Sequence, residues 1–274
     1  MRIEKIKLGD LSVNRLGFGA MRVLGPDIWG PPKDRKQAHA VFRRAIELGV
    51  DFFDTADAYG PNTDEELIAE ALHPYPKGLV IGTKGGCVRP DRRWDADGRP
   101  EHLRGAVEGS LKRLKLERID LYQLHTVDPK VKFEDSVGAL AELQRAGKIR
   151  HLGLSNVTVK QLEQARKIAP VVSVQNRYNL GDRKYEDVLL ACEKLGIAFL
   201  PWYPLGAGEA LRISRIRKLA EKLKATPAQV TIAWLLARSP VMLPIPGTSS
   251  VAHLEENVAA AAVKLKAADI EALS

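Results

Sequence analysis

Cysteine is scarce in this chain: Cys87 and Cys192 are the only two among 274 residues. A single possible pair cannot form a disulfide framework, and no Cys-x-x-Cys spacing indicates a zinc site, so both are expected to be free thiols. No apolar stretch approaches the roughly 18 residues that a membrane span requires. The first residues also lack the apolar run of a signal peptide. These absences predict a cytoplasmic protein with no membrane contact and no bound metal.

Charge of one sign is not concentrated anywhere, although the net charge is +8. Basic residues are mixed with acidic ones along the predicted helices, as in residues 108–118. No cluster combines aromatic with basic side chains as nucleic-acid-binding surfaces do. We therefore expect no nucleic-acid partner. Two interpretations of the charge stay open: a solvated basic surface, or a mild electrostatic attraction for an anionic cofactor.

The sequence does contain short apolar segments typical of strands, and they alternate with segments that have a helical pattern. With 45% hydrophobic and 28% charged residues, the composition is that of a globular protein. The Gly9-Asp10 pair predicts the turn of an N-terminal β-hairpin over residues 3–13. Buried strands are predicted at 15–20, 51–54, 79–83, 119–124, 149–154, 171–175, 197–201 and 242–245. Helices are predicted at 34–48, 64–72, 99–114, 133–145, 159–167, 183–195, 212–224, 227–238 and 252–262.

This alternation favours parallel strand pairing, and eight strands fit a (β/α)8 TIM barrel better than an open doubly wound sheet. We predict one α/β domain of this type over residues 1–274, with the N-terminal β-hairpin covering one end. In such a barrel, functional side chains lie at the carboxyl ends of the strands and on the loops that follow. The side chains with polar groups at these ends are Asp54, Tyr59, Lys84, His125, Ser155, Asn156, Gln175, Asn176, Trp202 and Tyr203.

The first four of these side chains suit proton transfer to a carbonyl group. Lys84 ends an apolar strand, so its ammonium group costs free energy unless a carboxylate such as Asp54 pairs with it. A lysine beside a phenol lowers the phenol's pKa from about 10, which predicts that Tyr59 donates a proton near neutral pH. His125 can polarise the carbonyl oxygen from the other side. Two alternatives are a structural one, in which Asp54 caps the next helix, and a Schiff-base lyase that uses Lys84.

The motifs around these residues resemble those of the aldo-keto reductase family, in the same order and over nearly the whole chain. They are Asp54-Thr-Ala-Asp-Ala-Tyr59-Gly, Gly82-Thr-Lys84, Leu121-Tyr-Gln-Leu-His125, Gly153-Leu-Ser-Asn156, Gln175, Pro201-Trp202-Tyr-Pro-Leu-Gly206, and Ile245-Pro-Gly-Thr-Ser-Ser with Glu256-Asn257. The resemblance implies an NAD(P)H-dependent enzyme that reduces aldehydes or ketones on a (β/α)8 barrel. It also implies that Tyr59 is the general acid, that Lys84 and Asp54 tune it, and that His125 orients the carbonyl.

The resemblance further implies three regions that hold the cofactor. The nicotinamide positions are matched by Ser155, Asn156, Gln175, Trp202 and Tyr203. The pyrophosphate loop is matched by Leu205, Gly206 and Gly208. The segment for the adenosine and its 2′-phosphate is matched by Gly247, Thr248, Ser249, His253, Glu256 and Asn257.

Two positions in this last segment depart from the pattern of many relatives. Gly247 stands where some members carry lysine, and His253 stands where arginine commonly meets the 2′-phosphate. Arginine offers a permanent charge, whereas histidine carries its charge only in part near neutral pH. We therefore expect NADPH as the cofactor with a modest preference, and NADH as a usable second choice.

Substrate contacts are predicted in two loops. Trp94, in the loop 85–100, is placed to cover the barrel mouth as part of a lid, and Trp29 is placed as the opposite wall, although either tryptophan can instead anchor its loop. The arginines of the same loop either favour an anionic substrate or are simply solvated. The expectation is a small carbonyl substrate, with pyridoxal as one candidate, bound by a monomer or weak oligomer. A cofactor-sensing binding module without significant turnover is the alternative of another class.

Overall fold

The chain folds around one curled sheet of parallel strands. The computed structural model describes residues 4–273, with the backbone only at Ala210. Its strands are β1 (Lys5–Leu8), β2 (Leu11–Asn14), β3 (Phe18–Gly19), β4 (Phe52–Asp54), β5 (Val80–Gly85), β6 (Cys87–Val88), β7 (Asp95–Ala96), β8 (Ile119–Leu124), β9 (Ile149–Ser155), β10 (Val171–Arg177) and β11 (Ala198–Trp202). Seven of them form the sheet in the order β3-β4-β5-β8-β9-β10-β11, and each neighbouring pair is parallel.

Helices connect these strands, as the alternation predicts. They are α1 (Arg35–Glu47), α2 (Thr63–Leu72), α3 (Pro100–Leu114), α4 (Phe133–Arg145), α5 (Val159–Arg166), α6 (Glu186–Leu195), α7 (Ser214–Leu223), α8 (Pro227–Arg238), α9 (Val251–Ala259) and α10 (Ala267–Leu273). Local signals set several of their starts. Thr226 and Gln229 form a capping box at α8, where Pro227 occupies the first helical position. Residues 267–273, for which no helix was predicted, form α10.

The N-terminal hairpin covers the amino end of the barrel. Strands β1 and β2 pair antiparallel around Gly9, whose φ of +63° suits glycine in a tight turn. Leu8 and Val13 are buried, and they belong to one apolar cluster with Phe52 of β4 and Leu121 of β8. The predicted hairpin is confirmed over its described residues, and the remaining residue of the prediction, Ile3, lies outside them.

The eighth strand position is filled, but not by a regular strand. The Phe199 N–H of β11 donates to the Val241 carbonyl (2.8 Å), and the Leu243 N–H donates back to Phe199 (2.9 Å). On the other side, the Gly17 N–H donates to the Pro244 carbonyl (2.9 Å). Pro244 and Pro246 have no N–H to donate, so the ladder cannot continue. The predicted strand 242–245 is therefore wrong as a regular strand, whereas its place between β11 and β3 closes the barrel.

A second difference concerns the start of the barrel. The predicted strand 15–20 shrinks to the two residues of β3, because residues 20–23 turn into a 3-10 helix. The loop after β5 forms a small antiparallel hairpin from β6 and β7, which was not predicted. In residues 4–273, no helix is both long and apolar enough to cross a membrane.

Candidate active site

Lys84, Asp54 and Tyr59 meet at the carboxyl end of the sheet. Asp54 ends β4 and pairs in register with Gly82 of β5, which brings the next residues of both strands to the same rim. The Lys84 ammonium lies 2.8 Å from Asp54 Oδ2, 2.8 Å from the Thr55 carbonyl oxygen and 3.2 Å from Tyr59 Oη. Lys84 is completely buried. The structure thus brings these three predicted site residues together.

Both charges of the buried pair are stabilised by the contacts around them. Burial favours the neutral amine, but the contacts with Asp54 and Tyr59 together outweigh it, and the pKa of Lys84 is raised above its ordinary value. The second carboxylate oxygen, Oδ1, accepts a hydrogen bond from Gln175 Nε2 at 2.7 Å and one from Gln123 Nε2 at 3.4 Å. Asp54 is therefore engaged inside the barrel and does not cap a helix. The residue at the N-terminal cap of α2 is Asn62.

Tyr59 lies at the pocket wall with its phenol beside the ammonium. Burial raises the pKa of Tyr59 to about 12, although the Lys84 charge acts to lower it. The prediction of a phenol pKa below about 10 is therefore wrong, because loss of hydration outweighs the neighbouring charge. The consequence for proton donation is favourable: the phenol stays protonated at neutral pH.

His125 follows β8 and faces Tyr59. The two ring centroids are 5.8 Å apart, in an edge-to-face arrangement. Burial, and then the Lys84 charge, lower the pKa of His125 well below its ordinary 6.5, so the imidazole is neutral near pH 7. A neutral imidazole carries one N–H. His125 can therefore donate a hydrogen bond without adding a second full charge beside Lys84.

These groups open into a pocket of about 770 Å³. Among the predicted residues, its lining includes Asp54, Tyr59, Trp94, His125, Ser155, Asn156, Gln175, Trp202, Tyr203, Leu205, Gly208 and Gly247. Asn156 joins two sides of it: its Nδ2 donates to the His125 carbonyl (3.0 Å), and its Oδ1 accepts from Trp202 Nε1 (2.9 Å). Asn156 has a φ of +58°, a conformation that asparagine tolerates better than most residues. The strand ends are thus braced against one another around the pocket.

A sequence profile of the Aldo/keto reductase family matches residues 15–274. The chain belongs to the aldo/keto reductase family. It is 51% identical over 262 residues to an uncharacterized oxidoreductase of Schizosaccharomyces pombe, covering 95% of this chain and 85% of that protein. It is 45% identical over 267 residues to pyridoxine 4-dehydrogenase of Escherichia coli, covering 95% of this chain and 93% of that protein.

Solved structures agree with this assignment. A thermostable aldo-keto reductase in complex with the inhibitor epalrestat has a TM-score of 0.87 at 30% identity, covering 100% of this chain and 98% of that one. An aldo-keto reductase from Klebsiella pneumoniae in complex with NADPH has a TM-score of 0.84 at 26% identity, covering 100% of this chain and 94% of that one. The predicted barrel is confirmed, and the protein is an oxidoreductase of this family.

In this aldo/keto reductase, the residues predicted for the adenosine end lie outside the pocket lining, with the exception of Gly247. Thr248 and Ser249 precede α9, and Ser250 caps that helix by accepting from the His253 N–H. His253 is 70% exposed in its side chain, with Nδ1 3.2 Å from Glu256 Oε2. Asn257 is buried on the same helix. Gly206 is buried and is not part of the pocket lining, whereas Leu205 and Gly208 line the pocket.

Gly247 has a packing reason for lacking a side chain. A Cβ atom there would collide with the carbonyl oxygen of Gly19, and the next nearest group is Arg22 Cγ at 3.3 Å. A lysine, which some relatives carry, therefore does not fit without a shift of the β3 end. Arg22 also lines the pocket. It was missed from the sequence because nothing in its local pattern marks it.

The two tryptophans predicted for the substrate wall have different positions. Trp94 lines the pocket, and its ring centroid lies 6.2 Å from that of Tyr59 and 6.3 Å from that of His125. Trp29 does not line the pocket, and its neighbour Ile28 does. The Trp29 backbone pairs with Gly60, so this residue anchors the first loop. The structure therefore favours the other predicted role of Trp29, that of a loop anchor.

Two buried carboxyl groups behind the site were also missed. Burial, with help from the neighbouring Glu65, raises the pKa of Asp57 to about 8. Burial likewise raises the pKa of Asp64 to about 7, despite a hydrogen bond from Thr55 Oγ1 at 2.8 Å. One oxygen of each, Oδ1, has no hydrogen-bond partner within residues 4–273. Several acidic residues follow one another in the stretch 54–64, but the sequence does not show which of their side chains point into the protein.

This burial predicts that the free energy of unfolding falls as pH rises from the ordinary carboxyl pKa towards about 8. A carboxyl group whose pKa is higher in the folded than in the unfolded chain makes the free energy of unfolding fall as pH rises towards the folded pKa. His125, whose pKa is lowered, acts oppositely but only up to about pH 6.5. Between pH 7 and 8, the Asp57 contribution therefore dominates. Asp57→Asn should flatten this decline, measured by urea unfolding at several pH values. An equally steep decline in Asp57→Asn and in the exposed control Asp91→Asn would contradict the assignment.

Proposed function

We propose that this oxidoreductase reduces aldehydes or ketones to alcohols with NADPH, and that Tyr59 protonates the carbonyl oxygen. The observation that carries the proposal is the contact of 3.2 Å between the buried Lys84 ammonium and the Tyr59 phenol. Tyr59 lies at the pocket wall, and Lys84 lies behind it. General acid catalysis requires a protonated group that faces the substrate, and Tyr59 meets this requirement. The Lys84 cation lies behind the phenol and does not face the pocket.

The pocket fits a nicotinamide dinucleotide. It extends from Tyr59 and His125 to Gly247, where the lack of a side chain lets the backbone pack closely against the Gly19 carbonyl group. Gln175 donates its amide N–H to Asp54, which leaves its carbonyl oxygen as an acceptor for a carboxamide N–H. Bound there, NADPH supplies hydride to the carbonyl carbon of the substrate.

The side chains of the protein polarise the carbonyl group and supply the proton. His125 donates a hydrogen bond to the carbonyl oxygen and increases the positive character of its carbon. As the carbon accepts hydride, the oxygen takes the proton of Tyr59 Oη, and the phenolate that forms lies beside the Lys84 ammonium. Asp54 keeps Lys84 charged throughout. The cation is worth more in this buried setting than in water, because the surrounding dielectric is low.

The lyase alternative has less support. A Schiff base requires a neutral amine that reaches the substrate carbonyl, whereas the Lys84 ammonium is buried and bonded to Asp54, Tyr59 and the Thr55 carbonyl. Borohydride trapping with substrate distinguishes the two reactions, since only the lyase leaves a covalent adduct on Lys84. The binding-module alternative predicts NADPH binding without oxidation. Equal amounts of alcohol and NADP⁺ from a panel of aldehydes would support the proposal, and their absence would contradict it.

Pyridoxal is a specific candidate substrate for this reaction. The support is the 45% identity to the Escherichia coli protein named pyridoxine 4-dehydrogenase. An aromatic aldehyde is also compatible with the ring edges of Trp94, Tyr59 and His125 around the pocket. Pyridoxal should accordingly have one of the highest kcat/KM values in the panel. A value below those of simple aliphatic aldehydes would remove it as a candidate.

Cofactor choice should depend on His253. Its exposed imidazole can meet a 2′-phosphate near the N-terminus of α9, but Glu256 already lies 3.2 Å away. We expect NADPH to be preferred by roughly five- to thirtyfold, the scale of one charge-assisted hydrogen bond. The preference should shrink in His253→Ala, because the side chain that contacts the 2′-phosphate is gone. Measurement of kcat/KM for both cofactors in the two proteins tests it; the same ratio in both would contradict it.

A further inference from the structure

Arg89 joins two loops that form one wall of the pocket. The loop between β3 and α1 contributes Ile28 to this wall, and the loop between β5 and α3 contributes Trp94. The Arg89 guanidinium donates to the carbonyls of Asp27 (3.1 Å) and Ile28 (3.2 Å) in the first loop. It also donates to the carbonyls of residues 92 and 93 in its own loop, both at 3.0 Å. Arg89 is only 6% exposed. One side chain therefore fastens the two loops together.

The same guanidinium holds the Trp94 indole. Arg89 Cζ lies 3.7 Å from the Trp94 ring centroid, closer than the 5.6 Å to the ring of Trp29. A guanidinium over an indole face is an attractive cation–π contact. Trp94 is 46% exposed, and the other ring contacts of its indole are the edge-to-face ones with Tyr59 and His125. Arg89 is therefore one of three side chains that hold this ring in place.

Arg89 is not available to bind an anionic substrate. Its hydrogen bonds go to backbone carbonyls, and within the described part of the chain no carboxylate forms an ion pair with it. The neighbouring Arg92 forms an ion pair with Asp27 at the surface. Arg93 forms surface ion pairs with Asp91 and Asp95. The arginines of this loop therefore do not make the pocket wall a site for a phosphate or carboxylate group.

We propose that Arg89 is a positioning residue, which fixes the Trp94 indole over the reacting carbonyl and thereby favours flat, uncharged aromatic aldehydes over small aliphatic ones. This proposal rests on the proposed carbonyl reduction. An aromatic substrate gains from a fixed indole because ring contacts depend on geometry, and a mobile indole must lose conformational freedom when the substrate binds. A small aliphatic aldehyde has no ring to place against it.

The kinetic test compares benzaldehyde with propanal. Arg89→Gln should raise KM for benzaldehyde by about tenfold, the scale of one lost ring contact. The KM for propanal, kcat for both aldehydes and the Kd for NADPH should stay within about twofold. Arg89→Lys keeps the charge but not the planar fork of donors, so it should recover only part of the loss. Arg93→Gln removes a charge from the same loop and should change none of these values.

A double-mutant cycle shows whether Arg89 acts through Trp94. In a Trp94→Ala background, Arg89→Gln should add little to the KM for benzaldehyde, because the indole it positions is gone. Equal effects of Arg89→Gln with and without Trp94 would overturn the proposal. A proportional rise of KM for both aldehydes would overturn it as well, because that result fits a general disturbance of the loop.

A spectroscopic measurement tests the positioning without any activity. The contribution of Trp94 to the fluorescence is the difference between the protein and its Trp94→Phe variant, since the chain has four tryptophans. Acrylamide should quench this contribution more strongly in Arg89→Gln, and in Arg89→Lys if the glutamine variant does not fold. Unchanged quenching would overturn the proposal. If neither aldehyde is reduced, the proposed reaction fails, and the quenching still decides whether Arg89 holds Trp94.

Discussion

Tyr59→Phe should lower kcat for every accepted aldehyde by about a hundred- to ten-thousandfold, the usual effect of losing a general acid. The phenol is the proton donor nearest to the buried cation, with Oη 3.2 Å from Lys84 Nζ. Phenylalanine preserves the ring and its edge-to-face contact with His125. The Kd for NADPH should therefore change little. Steady-state kinetics with fluorescence titration of the cofactor separate the two effects.

A matched control is available on α6. Tyr185 immediately precedes this helix and is partly buried, and its hydroxyl makes no hydrogen bond within the described residues 4–273. Tyr185→Phe also removes a phenolic hydroxyl group, but from a residue that does not line the pocket, and it should leave kcat unchanged. If Tyr59→Phe kept the turnover of the control, the assignment of the acid would be wrong.

Lys84→Met should remove most activity and also destabilise the fold. Without the ammonium, the phenolate that forms on Tyr59 has no adjacent positive charge. Asp54 is then left as an unpaired buried carboxylate, and loss of one partner of such a pair costs about 3–5 kcal/mol. Lys84 is fully buried, so this range applies with little screening by solvent. Urea unfolding and kcat measured on the same preparation test both effects.

A second substitution, at Asp54, separates the effect of Lys84→Met on stability from its effect on catalysis. Asp54→Asn added to Lys84→Met removes the stranded charge, so the double variant should recover a large part of the lost unfolding free energy. Its kcat should stay low, because no cation has been restored. Full recovery of turnover in the double variant would show that Lys84 serves the fold alone.

Much of this architecture was predictable, and the reasons are local. Strand β8, helix α4 and helix α8 begin and end at the predicted residues, because their apolar patterns and first-turn residues are unambiguous. Asp54, Lys84 and His125 were placed together because the carboxyl ends of parallel strands share one rim. The pairing of Lys84 with Asp54 followed from the cost of burying an isolated charge.

The remainder depended on contacts between distant segments. Pro244 interrupts a segment that otherwise looks like a strand, and only the bonds to Phe199 and Gly17 show that it still closes the barrel. The pKa of Tyr59 has the opposite sign of shift from the prediction, because burial cannot be weighed from neighbours in sequence. Trp29 and Trp94 looked equivalent in the chain, and only the pairing of Trp29 with Gly60 and the place of Trp94 in the pocket lining distinguish them.

Isotope transfer tests directly whether this protein moves a hydride from NADPH to an aldehyde. The unmodified protein would be incubated with benzaldehyde and NADPH that carries deuterium at the transferable position of the nicotinamide, and the alcohol would be analysed by mass spectrometry. Hydride transfer from the cofactor predicts benzyl alcohol with one deuterium on its carbinol carbon, and far less of it with Tyr59→Phe. Alcohol without deuterium, or cofactor that binds but yields no alcohol from any aldehyde of the panel, would contradict it.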